Sequence, residues 1–141
     1  MSDTLSPRQV AAQWFQRLWN EHDGSAIAEL MAPDSRGELE GGQVTIGPAE
    51  FAGFYDTLLD TFPDICVKIM DISEDGDRAY VRWEACGTHC GSALGIAPSK
   101  CSHSFRGITW MKVRDGKIIE GGDSWNQAGL LARMAAAAPS P

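Results

Sequence analysis

Residues 104–125, SFRGITWMKVRDGKIIEGGDSW, decide the fold class of this chain. Stretches rich in β-branched and aromatic residues flank Asp115-Gly116, and an Asp-Gly pair in this setting is typical of a β-hairpin turn. Two further strand-like stretches, 65–73 and 79–89, precede this hairpin. The second half of the chain is therefore predicted to be a meander of antiparallel strands.

Helical patterns occupy the first half of the chain. Ser6 followed by Pro7 is typical of a helix start, because serine caps the first turn and proline needs no amide partner there. Apolar residues then recur at helical spacing, which predicts a helix to about Asn20. Further helices are predicted over 25–31, 49–61 and 127–136, and a weak hairpin or bent strand over 38–46.

Helices followed by antiparallel strands indicate an α+β domain. The predicted architecture is a cone-like curved antiparallel sheet with about three N-terminal helices, and such a cone encloses a pocket. The 141 residues fit a single domain at 1–141, with an ordered core at about 8–133. The low-complexity tail at 135–141 is expected to be flexible.

Composition narrows the classes of partner and location. The net charge of −7 argues against a nucleic-acid or anionic-membrane surface, because both require a basic face. No apolar run approaches the ~20 residues that span a bilayer, and the N-terminus has no signal-peptide pattern. A cytoplasmic location is therefore expected.

The four cysteines are expected to be reduced thiols in that compartment. Cys66 and Cys86 lie in strand-like stretches and are predicted to be small core residues. The Cys and His spacing in 86–103 does not match a usual zinc framework, so no metal is predicted. A disulfide between Cys90 and Cys101 stays open as a minority alternative.

Three groups of motifs are ordered along nearly the whole chain. The first group is WF at 14–15 and WN at 19–20, followed by LMAPD at 30–34. The second is GTHCG at 87–91, followed by LGIAPS at 94–99. The third is RDGKIIE at 114–120, followed by Asp123 and by QAGLL at 127–131. In this order and spacing the chain resembles the SnoaL-like polyketide cyclases of the nuclear transport factor-two-like superfamily. The resemblance covers residues 8–133.

The resemblance implies a cone-shaped pocket and, commonly, a homodimer. The sequence contains no phosphate loop, dinucleotide fingerprint or nucleophile elbow, so no cofactor is predicted. Members of the superfamily include aldol cyclases, cofactor-independent hydroxylases, epoxide hydrolases and ketosteroid isomerases. In the cyclases an aspartate of the final strand is the acid/base, and it aligns with Asp123. The cyclase histidine on the preceding strand aligns with Thr109, so another group must polarise the substrate carbonyl or the reaction differs.

Alternation along the last strand supports a pocket position for Asp123. Asp123 and Trp125 share one face, and an apolar setting would raise the pKa of the carboxyl toward the range of a useful general base. The alternative is a surface aspartate at a strand end. His89 is the second catalytic candidate, by bonding a substrate oxygen or orienting Asp123; equally, it is a buried histidine that pins the loop beginning at Gly91.

Six residues are predicted to contact substrate through aromatic surface or polar groups: Trp125, Thr109, Arg106, Tyr55, Phe15 and Asn126. For Arg106 a solvated or interface position is the favoured alternative, and for Asn126 a helix cap. Trp110 has the opposite strand parity to Thr109 and is expected outside the pocket, at a dimer face.

Three functions fit these residues. The first is an acid/base enzyme without cofactor that closes or isomerises a hydrophobic, aromatic polyketide-like carbonyl compound. The second is a hydroxylase or hydrolase on the same scaffold, motivated by Thr109. The third is a non-catalytic small-molecule-binding module, since this fold hosts many functions.

Overall fold

A computed structural model describes residues 4–137. The helices are α1 (Pro7–Gln13), continued by a π-helical segment (Trp14–Asn20), α2 (Ser25–Leu30), α3 (Gly47–Thr61) and α4 (Gln127–Ala137). The strands are β1 (Met31–Glu38), β2 (Val44–Ile46), β3 (Cys66–Asp75), β4 (Arg78–Thr88), β5 (Ser102–Arg114) and β6 (Lys117–Trp125). The α+β prediction is confirmed, with three N-terminal helical regions before the long strands.

The six strands form one sheet in the order β2-β1-β6-β5-β4-β3. Neighbouring strands are antiparallel except β1 and β6, which run parallel. The predicted antiparallel sheet is confirmed for the other four strand pairs, and the parallel β1–β6 pair makes the sheet mixed. β1 pairs with a strand about 85 positions later in the chain, as in Gly37 with Gly121. A local sequence pattern cannot predict a strand partner so distant.

The first helical region is fixed at its start by a reciprocal cap. The Ser6 hydroxyl accepts from the amide of Gln9, and the Gln9 side chain accepts from the amide of Ser6. From Trp14 onward the turns widen into a π-helix, a form frequent at functional sites. The buried residues of this segment pack against the sheet.

The two faces of the sheet differ, as β4 shows. Its residues alternate between buried and exposed from Ala79 onward, so one face covers the core and the other faces outward. Cys66 and Cys86 are paired across β3 and β4 on the outer face, and both are exposed. Their predicted core position is wrong, because strand parity rather than residue type decides the face.

The C-terminal helix ends within one residue of its predicted limit. α4 ends at Ala137, so residues 135–137 of the predicted flexible tail are helical, while 138–141 lie outside the described residues. Within residues 4–137, no helix is long and apolar enough to cross a membrane. Cys90 and Cys101 are free thiols, so no disulfide closes the loop between β4 and β5.

Candidate functional site

An apolar pocket lies between the inner face of the sheet and the N-terminal helical regions. The space between these walls, counted together with the solvent at its open mouth, is about 760 Å³. Aromatic side chains dominate its wall, including Trp14, Phe15, Trp19, Trp83, Phe105 and Trp125. The polar side chains that line it are Ser35, Arg36, Glu38, Thr109 and Asp123.

Asp123 and Thr109 are directly paired on β6 and β5. Thr109 Oγ1 lies 2.5 Å from Asp123 Oδ1, and Trp83 Nε1 lies 2.9 Å from the same threonine oxygen. Because an indole N–H can only donate, Thr109 accepts from Trp83 and donates its own proton to the Asp123 carboxylate. Within residues 4–137 no group donates to Asp123 Oδ2, so this oxygen is the one that can receive a substrate proton.

The environment shifts the acidity of Asp123. Burial raises its pKa to about 6, the Thr109 hydrogen bond opposes this rise, and the negative charge of Glu40 adds to it. A carboxylate with a pKa near 6 is ionised at neutral pH and is a stronger base than an ordinary aspartate. The site therefore has the acidity of a general base for an acidic C–H bond.

Phe15 and Trp125, two of the predicted substrate contacts, line the pocket. Trp125 lies on the inner face with Asp123, as alternation along β6 predicted, and its ring centroid is 5.2 Å from that of Phe105. Thr109 also lines the pocket. Flat aromatic walls of this kind favour flat, apolar ligands.

His89 does not line the pocket, and its predicted catalytic role is corrected. It is fully buried, and its Nδ1 accepts from the amide of Ser99 at 3.1 Å. The Ser99 hydroxyl also lies 3.0 Å from Nε2 of His103, and His89 exchanges backbone hydrogen bonds with Lys100 and Cys101. His89 comes just after the end of β4, so it anchors the 90–101 loop, which is the alternative that the sequence left open.

Three other predicted contacts lie outside the pocket. Arg106 is exposed on the outer face of the sheet, opposite Glu84. Asn126 is exposed, and its side-chain oxygen accepts from an amide in the first turn of α4 at 2.9 Å. Tyr55 is buried and donates its hydroxyl proton to the carbonyl of Leu18 at 3.0 Å. Arg106 therefore belongs to the outer face of the sheet, Asn126 caps α4, and Tyr55 contributes to helix packing.

Sequence reasoning missed three contributors to the site. Trp83 is one of several aromatic residues in the strand-like stretches, and its inward parity on β4 places its indole N–H beside Thr109. Glu40 has no local signal; it lies in the turn after β1, where Oε2 accepts from the amide of Trp125 at 3.3 Å. Ser35 lies on the inner face of β1, a strand that the sequence pattern did not reveal.

Within residues 4–137, no three His, Cys, Asp or Glu side chains are grouped in a way that could hold a metal ion. The pocket instead contains one carboxylate on its sheet wall with a hydroxyl bonded to it. Glu38 and Arg36, which also line it, are exposed and pair with each other at 3.6 Å. The chemistry available from these side chains is proton transfer.

A family model described as SnoaL-like polyketide cyclase matches residues 9–134. The chain belongs to this family. Comparison with curated proteins gives no match.

Solved structures with the same fold span nearly the whole chain. A protein of Jannaschia sp. CCS1, provisionally a SnoaL-like polyketide cyclase, is 21% identical with a TM-score of 0.86, covering 99% of this chain and 100% of its own. AclR of Streptomyces galilaeus, provisionally a hydroxylase, is 26% identical with a TM-score of 0.79, covering 93% and 98%. IdmH of Streptomyces antibioticus, provisionally a polyketide cyclase, is 26% identical with a TM-score of 0.78, covering 92% and 98%.

Proposed function

We propose that this protein is a cofactor-independent acid/base enzyme that closes a ring in, or isomerises, a hydrophobic polyketide-like carbonyl compound. The observation that carries the proposal is the Asp123 carboxylate on the wall of an aromatic pocket, with one oxygen bonded to Thr109 and a pKa raised by burial to about 6. Family membership and the similarity to IdmH support the same class of reaction.

The reaction follows from what Asp123 can do. Its carboxylate removes a proton from the carbon next to a substrate carbonyl, and the electron pair of the C–H bond moves onto the carbonyl oxygen to form an enolate. The enolate carbon then attacks a second carbonyl carbon and forms the new C–C bond. The resulting alkoxide recovers the proton from Asp123, so the carboxylate is regenerated. In an isomerisation the same proton returns to a different carbon.

The pocket also restricts the substrate. The only cation lining it is the exposed Arg36, which pairs with Glu38, among the residues that the structure describes. Strong electrostatic help for the enolate oxygen is therefore limited. This favours a substrate whose proton is already acidic, such as one between two carbonyl groups. Polyketide-like compounds carry such positions repeatedly.

Proton exchange tests the proposal without knowledge of the natural substrate. Fused bicyclic and tricyclic 1,3-diketones are incubated with the protein in D₂O, and loss of the α-proton signal is followed by NMR. Exchange should rise as pH increases through about 6, because the carboxylate must be ionised. Asp123→Asn should lower the rate about 100-fold or more, whereas the exposed-residue control Asp34→Asn should not. Equal rates in wild type and Asp123→Asn would refute the mechanism.

Hydroxylation is a second candidate function, favoured by the similarity to AclR and by Thr109 at the position of the cyclase histidine. An enolate formed by Asp123 would then transfer electrons to molecular oxygen in place of attacking a carbonyl. A hydroperoxide forms on the same carbon, and loss of water from it leaves a new carbonyl group whose enol carries the added hydroxyl, so the substrate itself supplies the electrons. Oxygen uptake measured with an electrode during turnover separates the two reactions. A rearranged product without oxygen consumption would exclude hydroxylation, and absence of any turnover would favour a small-molecule-binding module.

We also propose that the protein forms a homodimer through the outer face of the sheet. Ile108 and Tyr80 are 49% and 39% exposed there, which is unusual for large apolar side chains. Trp110, which the sequence predicted outside the pocket, is among the residues that line it, and its ring lies over Gly122 and under the guanidinium of Arg78. Sizing chromatography with light scattering should give a molar mass twice that of one chain. Ile108→Glu should reduce the measured mass to that of a single chain. A wild-type monomer would contradict this.

A further inference from the structure

Two cysteine thiols lie side by side on the outer face of the sheet. Cys66 of β3 and Cys86 of β4 are direct partners in the antiparallel ladder, and both are exposed free thiols. Side chains of directly opposite residues project from the same face of a sheet. Their chain neighbours Val67 and Ala85 face inward and line the pocket. The two thiols are therefore separated from the acid/base site by the sheet itself.

The hydrogen bonds of the edge strand β3 define the geometry of this pair. The amide of Val67 donates to the side-chain oxygen of Asn20 at 2.7 Å, and the carbonyl of Val67 accepts from the side-chain nitrogen of Asn20 at 2.8 Å. Both backbone groups of Val67 therefore point away from β4. Because hydrogen-bonded and non-hydrogen-bonded pairs alternate along an antiparallel ladder, Cys66 and Cys86 form a hydrogen-bonded pair.

A hydrogen-bonded pair of cysteines is close enough to form a disulfide, but not without a local adjustment. Its Cα atoms are about 5.5 Å apart, which lies inside the range of about 4.4–6.8 Å found in disulfides. Its Cβ atoms are about 4.5–5.5 Å apart, at the longer end for hydrogen-bonded pairs, whereas a disulfide needs about 3.5–4.5 Å. Closing the bond must draw the strands together by about 1 Å, and exposed disulfides under such tension are easily reduced.

The groove that contains the two thiols is positively charged. Beside them on the outer face, Lys68, Glu84 and Arg106 form one row across β3, β4 and β5. Arg133 of α4 also lines this groove, and its guanidinium donates to the carbonyl of Ser104 at 2.8 Å. In the part of the chain that the structure describes, three cations and one anion line the groove, although the whole chain has a net charge of −7. An anionic reagent is therefore attracted to this groove.

The groove is separate from the apolar residues assigned to the dimer contact. Tyr80 precedes Cys86 by six residues on β4, which is about 20 Å along a strand. Ile108 is paired with Arg82, four residues before Cys86, which is about 13 Å along the strand. A dimer contact centred on Tyr80 and Ile108 therefore does not have to cover the thiols.

We propose that Cys66 and Cys86 are a redox-sensitive dithiol that undergoes reversible exchange with small anionic disulfides such as glutathione disulfide. The thiolate of one cysteine attacks a sulfur of glutathione disulfide, releases one glutathione and leaves a mixed disulfide on the protein. The thiolate of the other cysteine then attacks the protein sulfur of this mixed disulfide. The Cys66–Cys86 bond forms and the second glutathione leaves. The two protons of the protein thiols end on the two glutathione molecules.

Mass spectrometry with alkylation of free thiols and peptide mapping tests the exchange. Glutathione disulfide should give the wild type an internal Cys66–Cys86 bond, and excess reduced glutathione should restore four free thiols. Cys86→Ser cannot close the bond, so it should retain glutathione on Cys66. The matched control Cys101→Ser removes another exposed cysteine and should still form the bond.

Rates of bond closure with an anionic and a cationic disulfide test the charge of the groove. Glutathione disulfide is anionic and cystamine is cationic, so the ratio of their rate constants cancels the intrinsic reactivity of the protein thiols. Lys68→Gln and Arg106→Gln should each lower the ratio of glutathione disulfide to cystamine about threefold at low salt. Glu84→Gln, the matched change of opposite sign, should raise it.

The inference is overturned if the wild type forms only mixed disulfides, a bond between Cys90 and Cys101, or a bond between two chains. It is also overturned if the closed bond resists excess reduced glutathione, or if the three charge variants leave the rate ratio unchanged. Failure of the proposed function is distinguished from these results, because proton exchange by Asp123 is measured with all thiols reduced.

Discussion

Replacing Asp123 by asparagine should make the protein more stable at neutral pH while removing its base. The pKa of Asp123 rises from 3.8 to about 6 on folding. The folded state therefore holds this proton more tightly than the unfolded chain, and stability falls as pH rises from about 4 to above 6. A shift of about two units corresponds to roughly 3 kcal/mol above pH 7.

Asparagine carries no charge, so this penalty disappears in the variant. At pH 7.5 Asp123→Asn should be more stable by about 2–3 kcal/mol, which is roughly 5–10 °C in melting temperature for a chain of this size. At pH 4 the two proteins should unfold at nearly the same denaturant concentration. The exposed-residue control Asp34→Asn should track the wild type at both values.

Urea unfolding followed by circular dichroism at several pH values measures this difference. Other carboxylates have lowered pKa values, such as Asp64, which accepts from Thr88. Their protonation below about pH 4 lowers the free energy of unfolding of both proteins equally. The difference between variant and wild type therefore isolates Asp123. A variant that is less stable than the wild type at pH 7.5, or a difference independent of pH, would show that Asp123 is not desolvated.

Three further outcomes are expected from the surroundings of the carboxylate and from one close backbone contact. Thr109→Val removes the hydroxyl that donates to Asp123 and should raise the pKa of Asp123 above about 6. Thr109→Ser keeps a hydroxyl and should leave that pKa near the wild-type value. Titration of the Asp123 carboxyl carbon by ¹³C NMR measures the pKa in both variants. Glu40→Gln removes a nearby negative charge and should lower the pKa of Asp123 in the same titration, and an unchanged value would show that Glu40 is screened. Gly91→Ala would bring a Cβ into steric conflict with the carbonyl oxygen of Asp60, so it should destabilise the fold by about 1–3 kcal/mol in urea unfolding; a neutral effect would mean that the loop can shift.

Part of the site was accessible to sequence reasoning because strand alternation is a local property. The Asp115-Gly116 turn sets the register of β5 and β6, and this register brings Thr109 opposite Asp123. The same parity gives Asp123 and Trp125 a common face. The sequence also showed that Thr109 stands where the cyclases have a histidine, but it did not show what this change does to the site. Nothing in the sequence shows that a threonine would donate to the carboxylate and leave one oxygen available.

The predictions for several other residues were wrong, and the reason is again physical. His89 has inward parity, yet it follows the end of β4 and faces a serine of the loop rather than the pocket. Arg106 lies on the outer face of β5, opposite Glu84 of β4. Cys66 and Cys86 have core-like chemistry on that same face. In each case the residue type fits more than one environment: parity along the strand placed Arg106 and the two cysteines on the outer face, and the end of β4 placed His89 against the loop.

The sequence by itself determined the α+β class, the hairpin of the last two strands and the face that carries Asp123, because turn chemistry and alternation act over a few residues. The tertiary structure decided the parallel pairing of β1 with β6 and, through it, the position of Ser35 and of Glu40 relative to Asp123. It also decided the pKa of Asp123, since desolvation depends on which side chains from distant strands surround the carboxyl group.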